Sequence, residues 1–218
     1  MTTQANSYPA RLDIDYPEKL DRVTTFFRLI WVIPIAIILS FISASAYSTV
    51  TVITETGEIV DQFTRTSGGI AGGLFGATML MVLFRQRYPR WWFDFAREFS
   101  RFEARVGAYV ALLTDAYPAT EDEQAVHLDL DFPDVEQDLN RWLPLVKWLL
   151  AIPHYFVLFF LWIGAFFAVV LAWFAILFTG RYPKGLFDFV VGVGRWSLRV
   201  GAYAFLLLTD RYPAFSLR

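Results

Sequence analysis

Two aspartates, four arginines and one histidine are the side chains in this 218-residue sequence whose types and spacing could do chemistry. Asp94 and Asp188 could serve as a carboxylate pair for acid–base work, one group donating a proton while the other accepts. A second acid group or a metal-ligand set is lacking beside either. Arg101/Arg105 and Arg195/Arg199 are spaced i, i+4, so on a helix both members of each pair face one way. Such pairs can hold anionic lipid headgroups, line a cytoplasmic vestibule that attracts anions, or pair internally with Asp94, Glu98 and Asp188. His154, directly after Pro153, is the one histidine inside a long apolar run. A polar group at membrane depth is a functional candidate by default, as ligand or proton relay; the competing reading is a helix-packing contact. Its counterpart in the first half of the chain is Ile35.

Other chemistries are missing their parts. There is no phosphate-binding glycine loop, no dinucleotide fingerprint, no His-Glu-x-x-His and no nucleophile elbow. The absence of cysteine removes disulfides, thiolate catalysis, iron–sulfur clusters and thiolate zinc sites. The expectation is a non-enzymatic protein with no cofactor and no metal. Nucleic acid is not an expected partner, because the basic residues are spent at a membrane surface.

The elements that must position these residues belong to a bilayer. The chain is 56% hydrophobic and 18% aromatic but only 18% charged, against a usual quarter or so charged in soluble domains. A bilayer core of roughly 30 Å needs about 20 apolar residues of helix. Residues 29–47 and 68–84 are uncharged, and residues 148–179 carry no charge apart from a protonated His154. The last run, about 32 residues or 48 Å of helix at 1.5 Å per residue, is too long for one comfortable crossing.

The chain also states its pattern twice. Arg11-Leu-Asp-Ile-Asp-Tyr-Pro17 returns as His127-Leu-Asp-Leu-Asp-Phe-Pro133. Arg87-Tyr-Pro89, Phe93-Asp-Phe95, Arg105-Val-Gly-Ala-Tyr109 and Thr114-Asp-Ala-Tyr-Pro118 return as Arg181-Tyr-Pro183, Phe187-Asp-Phe189, Arg199-Val-Gly-Ala-Tyr203 and Thr209-Asp-Arg-Tyr-Pro213. The step from Arg28 to Lys147 is longer than that from Arg87 to Arg181, so the second copy lacks the polar Ser48–Ser67 connection. A tight turn near Gly164 is expected in its place. The reading is two tandem repeats, 1–119 and 120–218 with a linker at about 116–126, and four transmembrane helices arranged as two hairpins in an all-α integral membrane protein.

After each second span comes a helix-length stretch, residues 91–114 and 186–209. At 100° per residue Asp94, Arg97, Glu98, Arg101 and Arg105 share about 100° of arc, which suits a cytoplasmic amphipathic helix lying at headgroup level. A third span per repeat is the alternative; it costs several kcal/mol for each mid-membrane Arg or Lys and would invert the second repeat. The Leu-Asp-Ile/Leu-Asp segments alternate apolar and acidic as half-buried strands do, and each ends at a proline that cannot continue a ladder. They are expected to pair with each other at the cytoplasmic face. Lys and Arg cluster before the first span and after the second and fourth, whereas Ser48–Ser67 has only Arg65. Both termini are therefore expected inside the cell. Residues 1–25 lack the pattern of a cleaved leader, so the first apolar segment is expected to stay as an anchor.

Within the second span, Gly69/Gly73 and Gly72/Gly76 form small-xxx-small patterns that let helices approach closely, toward another span or another subunit. Pro34 and Pro153 sit at matched places as expected kinks, since proline removes a backbone donor.

The second copy carries Ile152-Pro-His-Tyr155, Thr179-Gly-Arg-Tyr-Pro183, Arg199-Val-Gly-Ala-Tyr203 and Thr209-Asp-Arg-Tyr-Pro-Ala-Phe215. This resembles a family of bacterial multi-pass membrane proteins filed as a domain of unknown function; the first copy matches it more loosely. The resemblance implies a bacterial cytoplasmic (inner) membrane location and carries no activity. The leading functional expectation is a module that organises anionic phospholipid headgroups or partner proteins at the cytoplasmic face of the lipid bilayer, itself or as a homo-oligomer. The alternatives are an oligomeric channel or transporter with an arginine-lined vestibule, and a lipid-modifying enzyme resting on His154 and Asp188.

Overall fold

The structure, a computed structural model, describes residues 8–43, 46–53, 59–67, 70–119 and 124–218. Gly69 and linker residues 120–123 lie outside these. In chain order the elements are β1 (Ala10–Ile14), α1 (Arg22–Phe26), α2 (Arg28–Ser43), β2 (Ala46–Ile53), β3 (Ile59–Ser67), α3 (Ile70–Leu80) running into a π-helical turn (Met81–Arg85), and α4 (Arg90–Val110). Then follow β4 (Val126–Leu130), α5 (Val135–Asp138), α6 (Pro144–Leu150), α7 (Ile152–Thr179) and α8 (Lys184–Ala204).

The alternating acidic segments become β1 and β4, and they pair antiparallel with Ala10 opposite Leu130, Leu12 opposite Leu128 and Ile14 opposite Val126. These apolar positions point inward, while Arg11, Asp13, His127 and Asp129 point out, as a period of two requires. Pairing between the two halves of the chain is therefore formed. The strands cross over in their packing: β1 lies on α8, and β4 lies on α4. The polar stretch between α2 and α3 folds as the β2–β3 hairpin.

The two Arg-Tyr-Pro motifs stop one helix and start the next. Gln86 (φ 45°) and Gly180 (φ 72°) take left-handed conformations just past the preceding helices, the usual way to end a helix. Pro89 and Pro183 then precede α4 and α8 in extended conformation. The stretches expected to be amphipathic helices are helical, but both end before the Thr-Asp motif, which lies in the following loop.

Two expectations change. The turn expected near Gly164 does not form: α7 runs unbroken for 28 residues. Its physical reason is one continuous stripe of contacts. His154, Leu158, Ala165, Ala168, Ala172 and Ile176 recur at helical spacing and are all buried, so breaking the helix would lose half of that seam. Gly164 itself sits against a ring, where an added methyl would meet Phe189 at 3.4 Å. Pro153 is not a kink within a span either. It occupies the first turn of α7, where its missing N–H has no helical partner to lose. Pro34, in contrast, is inside α2.

Among the described residues α7 is the one helix long and apolar enough to cross a bilayer, with mean hydropathy 2.5. Only 22% of its most apolar stretch is buried. The rest is half-buried or exposed, and Phe156, Phe159, Phe160, Phe166, Phe167 and Phe178 are among the exposed residues of α7.

Candidate functional site

The charged residues singled out above grip backbone of their own chain. Arg195, midway along α8, donates Nε–H to the Leu12 carbonyl oxygen (2.8 Å) and Nη2–H to Asp13 (2.5 Å). Arg101, midway along α4, does the same to Leu128 (2.9 Å) and Asp129 (3.3 Å), with a further bond to Glu98 (2.9 Å). Each arginine thus pins one strand of the β1–β4 pair to a helix, using the fork geometry that a lysine lacks. Arg11 closes the strand pair on its outer face with two bonds to Asp131 (2.9 and 2.7 Å). The second member of each i, i+4 pair holds the segment that follows its helix. Arg105 bonds the Ala119 carbonyl at 2.6 Å, and Arg199 bonds the carbonyls of Ser216 and Arg218.

The acidic candidates split. Asp94 pairs with Arg97 (3.3 Å), and Asp188 is exposed on α8. Among the described residues no group of three His, Cys, Asp or Glu could hold a metal.

A pair of cation sites that sequence reasoning missed lies where the Thr-Asp motifs meet the starts of the apolar helices. Arg28, at the start of α2, donates to Thr114 O (3.0 Å) and Asp115 (2.5 Å), and its guanidinium lies 4.1 Å from the Tyr109 ring centroid. Lys147, in α6, donates to Thr209 O (2.9 Å), pairs with Asp210 (2.6 Å), and lies 5.4 Å from the Tyr203 ring. The other carboxylate oxygen of each aspartate accepts a backbone N–H, from Asp21 (2.7 Å) and Asn140 (2.5 Å) respectively. Lys147 is fully buried. Burial lowers its pKa from the usual lysine range, and Asp210 works against that shift. The signal in the sequence was the recurrence of a cation before each apolar run together with Thr-Asp after each long helix.

His154 is fully buried at the start of α7. Trp196 donates its indole N–H to His154 Nδ1 (3.1 Å), which puts the proton of the neutral ring on Nε2. The ring stacks on Phe215 at 4.0 Å between centroids and touches Tyr212 at 4.8 Å. Its Nε2 has no hydrogen-bond partner among the described residues. The imidazole acts here as a packing plate between α7, α8 and the carboxy-terminal segment.

The glycines of α3 face open space. A methyl added at Gly72, Gly73 or Gly76 would meet nothing within 4 Å, so the close approach they permit is not used within the described chain. An open depression of about 650 Å³ lies between the first Arg-Tyr-Pro turn and the segment after β4, lined by Arg85, Arg87, Tyr88, Phe132, Asp134 and Glu136. A smaller one of about 430 Å³ lies at the end of α7, between Lys19, Arg22, Thr179 and Arg181. Both carry exposed basic side chains at the ends of apolar helices. The linings differ in charge: the first mixes Arg85 and Arg87 with Asp134 and Glu136, whereas the second carries Lys19, Arg22 and Arg181.

No curated protein and no solved structure matches this chain. Residues 142–216, which span α6, α7, α8 and the Lys147–Asp210 pair, match the family model described as a domain of unknown function (DUF4389).

Proposed function

We propose that the protein is a non-enzymatic membrane module, built of two tandem copies of one unit, that organises anionic lipid at the cytoplasmic face of a bacterial inner membrane. The observation that carries this reading is the exposure of α7: a 28-residue apolar helix with an unbroken outer surface of phenylalanine, tryptophan and aliphatic side chains. Monomeric soluble proteins rarely expose so large a contiguous apolar patch. The recurrence of equivalent contacts at matching positions supports the tandem reading. Arg195 and Arg101 pin the two strands alike, and Arg28 and Lys147 anchor the two Thr-Asp turns alike. A non-enzymatic role fits a set of arginines committed to holding the fold.

Extraction of the protein with its native lipid annulus, followed by lipid analysis, tests the proposal. Enrichment of anionic phospholipid over the bulk membrane is the expected result. Recovery with neither enriched anionic lipid nor a partner protein overturns it. A reporter fused after Tyr117 is expected to be active on the cytoplasmic side.

A further inference from the structure

The exposed face of α7 has a geometry that crossing a bilayer does not explain. The residues buried along it, from His154 to Ile176, cover nearly its whole length, so one side of the helix is backed by protein from end to end. Over its amino-terminal two thirds the backing is α8. Tyr155 stacks with Phe205, Trp162 donates to Ser197, and Gly164 faces Phe189. Numbers rise on one helix as they fall on the other, so the two run antiparallel and side by side. Toward the far end α1 takes over, with the Trp173 indole N–H bonded to Thr25 O.

What lies behind α8 decides the orientation. A methyl added at Gly194, at its middle, would meet the Leu12 side chain at 3.3 Å, the adjacent Arg195 bonds the Leu12 carbonyl, and β1 packs on α8. The β1–β4 pair therefore sits over the midpoint of the α7–α8 layer. Its outward row holds Asp13, Asp15, Asp129 and Asp131, with side chains 51–70% exposed. Were α7 to stand along the membrane normal, α8 would stand with it, and these carboxylates would sit at mid-bilayer about two helix diameters away, roughly 20 Å. Exposed charges at that depth cost several kcal/mol each. Laid flat, the same molecule puts every one of them in water and the phenylalanine face in hydrocarbon. Charge at one end of α7 agrees. Lys19, Arg22, Arg181 and Lys184 are exposed around the carboxy-terminal end of α7, at the level where anionic headgroups would meet a helix sunk into a single leaflet.

We infer that α7 lies parallel to the bilayer plane, its Phe156–Phe178 face immersed in the acyl chains of one leaflet, the β1–β4 pair turned to water. The occupant of the face is lipid. This rests on the membrane reading above and refines it, replacing passage through both leaflets for this helix.

The chain has no native cysteine, so single spin labels can be placed cleanly. Phe156, Phe167 and Phe178 are all exposed and are spaced by three helical turns, so they share one azimuth. Each is replaced singly (F156C, F167C, F178C), labelled, and reconstituted in vesicles of phosphatidylglycerol and phosphatidylethanolamine. The ratio of oxygen to nickel-chelate collision rates reads depth. The in-plane arrangement gives the same elevated ratio at all three sites. A crossing helix places Phe156 and Phe178 about 33 Å apart along the normal, at 1.5 Å per residue, with the ratio peaking at Phe167; that result overturns the inference and leaves the membrane reading standing. Failure to bind vesicles, or three water-exposed labels, overturns both. Oriented circular dichroism of the unaltered protein in stacked bilayers guards against misfolded variants. Its long-wavelength exciton band is strong for helices in the plane, and loss of that band overturns the inference.

Discussion

Lys147 shows how much a single buried charge governs here. It is enclosed completely, beside a partly exposed Asp210, so removing it leaves a carboxylate without its cation. Removing one partner of a buried pair typically costs ~3–5 kcal/mol. Lys147→Met is therefore expected to lower the melting temperature in detergent sharply, and Lys147→Met with Asp210→Asn to recover part of the loss. Tyr88 makes a pH prediction. Burial pushes its hydroxyl up to about 12, whereas an unfolded tyrosine titrates near 10. Above pH ~10 the unfolded chain loses a proton that the folded chain keeps. The contribution of Tyr88 is thus complete below that pH and lost as pH rises through its folded value. Denaturation followed from pH 9 upward should show declining stability, with a shallower decline in Tyr88→Phe. Tyr8 and Tyr182 shift in the same direction, so the slope will not vanish. At this scale the sequence announced which residues recur but not what they touch. The lysine stood out only as a charge beside an apolar run, and the residues it holds, Thr209 and Asp210, lie at least 62 residues on, in the loop after α8.

At the scale of elements, periodicity was readable and its covering was not. Alternation pointed to β1 and β4, and the charged stripes to α4 and α8, with starts close to those observed but C-terminal ends that overran them. The stripe was expected to face headgroups. Instead its central arginines are capped by strands from the opposite half of the chain, 183 residues away for Arg195 and Leu12. A period of 3.6 reports that a face is polar, and a partner so distant in sequence leaves no local trace. Gly164 misled for the opposite reason: glycine between apolar runs suggests a turn, yet here it makes room for Phe189. Arg195→Ala should lose charge-assisted bonds worth about 2 kcal/mol in all, read as lost exchange protection in β1. Arg195→Lys should not restore them, because an ammonium cannot reproduce the fork. Gln86 holds a left-handed conformation (φ 45°) without being glycine. Gln86→Gly should raise stability by about 1 kcal/mol, the strain relieved at such a position, measurable as a higher melting temperature.

The whole molecule is held together across its midline. Apolar content raised the expectation of a membrane, and α7 is the described helix long and apolar enough to cross one. Which way the apolar helix faces depends on three stacked layers that no window of sequence contains. Because β1 is fixed to α8 and β4 to α4, the peptide link between the halves carries little of the load. Cleavage at a protease site engineered into residues 120–123 is expected to leave both fragments migrating as one species in mild detergent; their separation would show that the cross-packing is too weak to join them.

That crossed arrangement has an evolutionary corollary. A polypeptide bearing just one half would have its own strand extended outward and its own helix bare, each lacking the piece that the sister half donates here. On the tandem reading proposed above, two such polypeptides would complete one another by reciprocal exchange, and fusion of their genes would join an obligate couple into a single chain, with the joining segment as its seam.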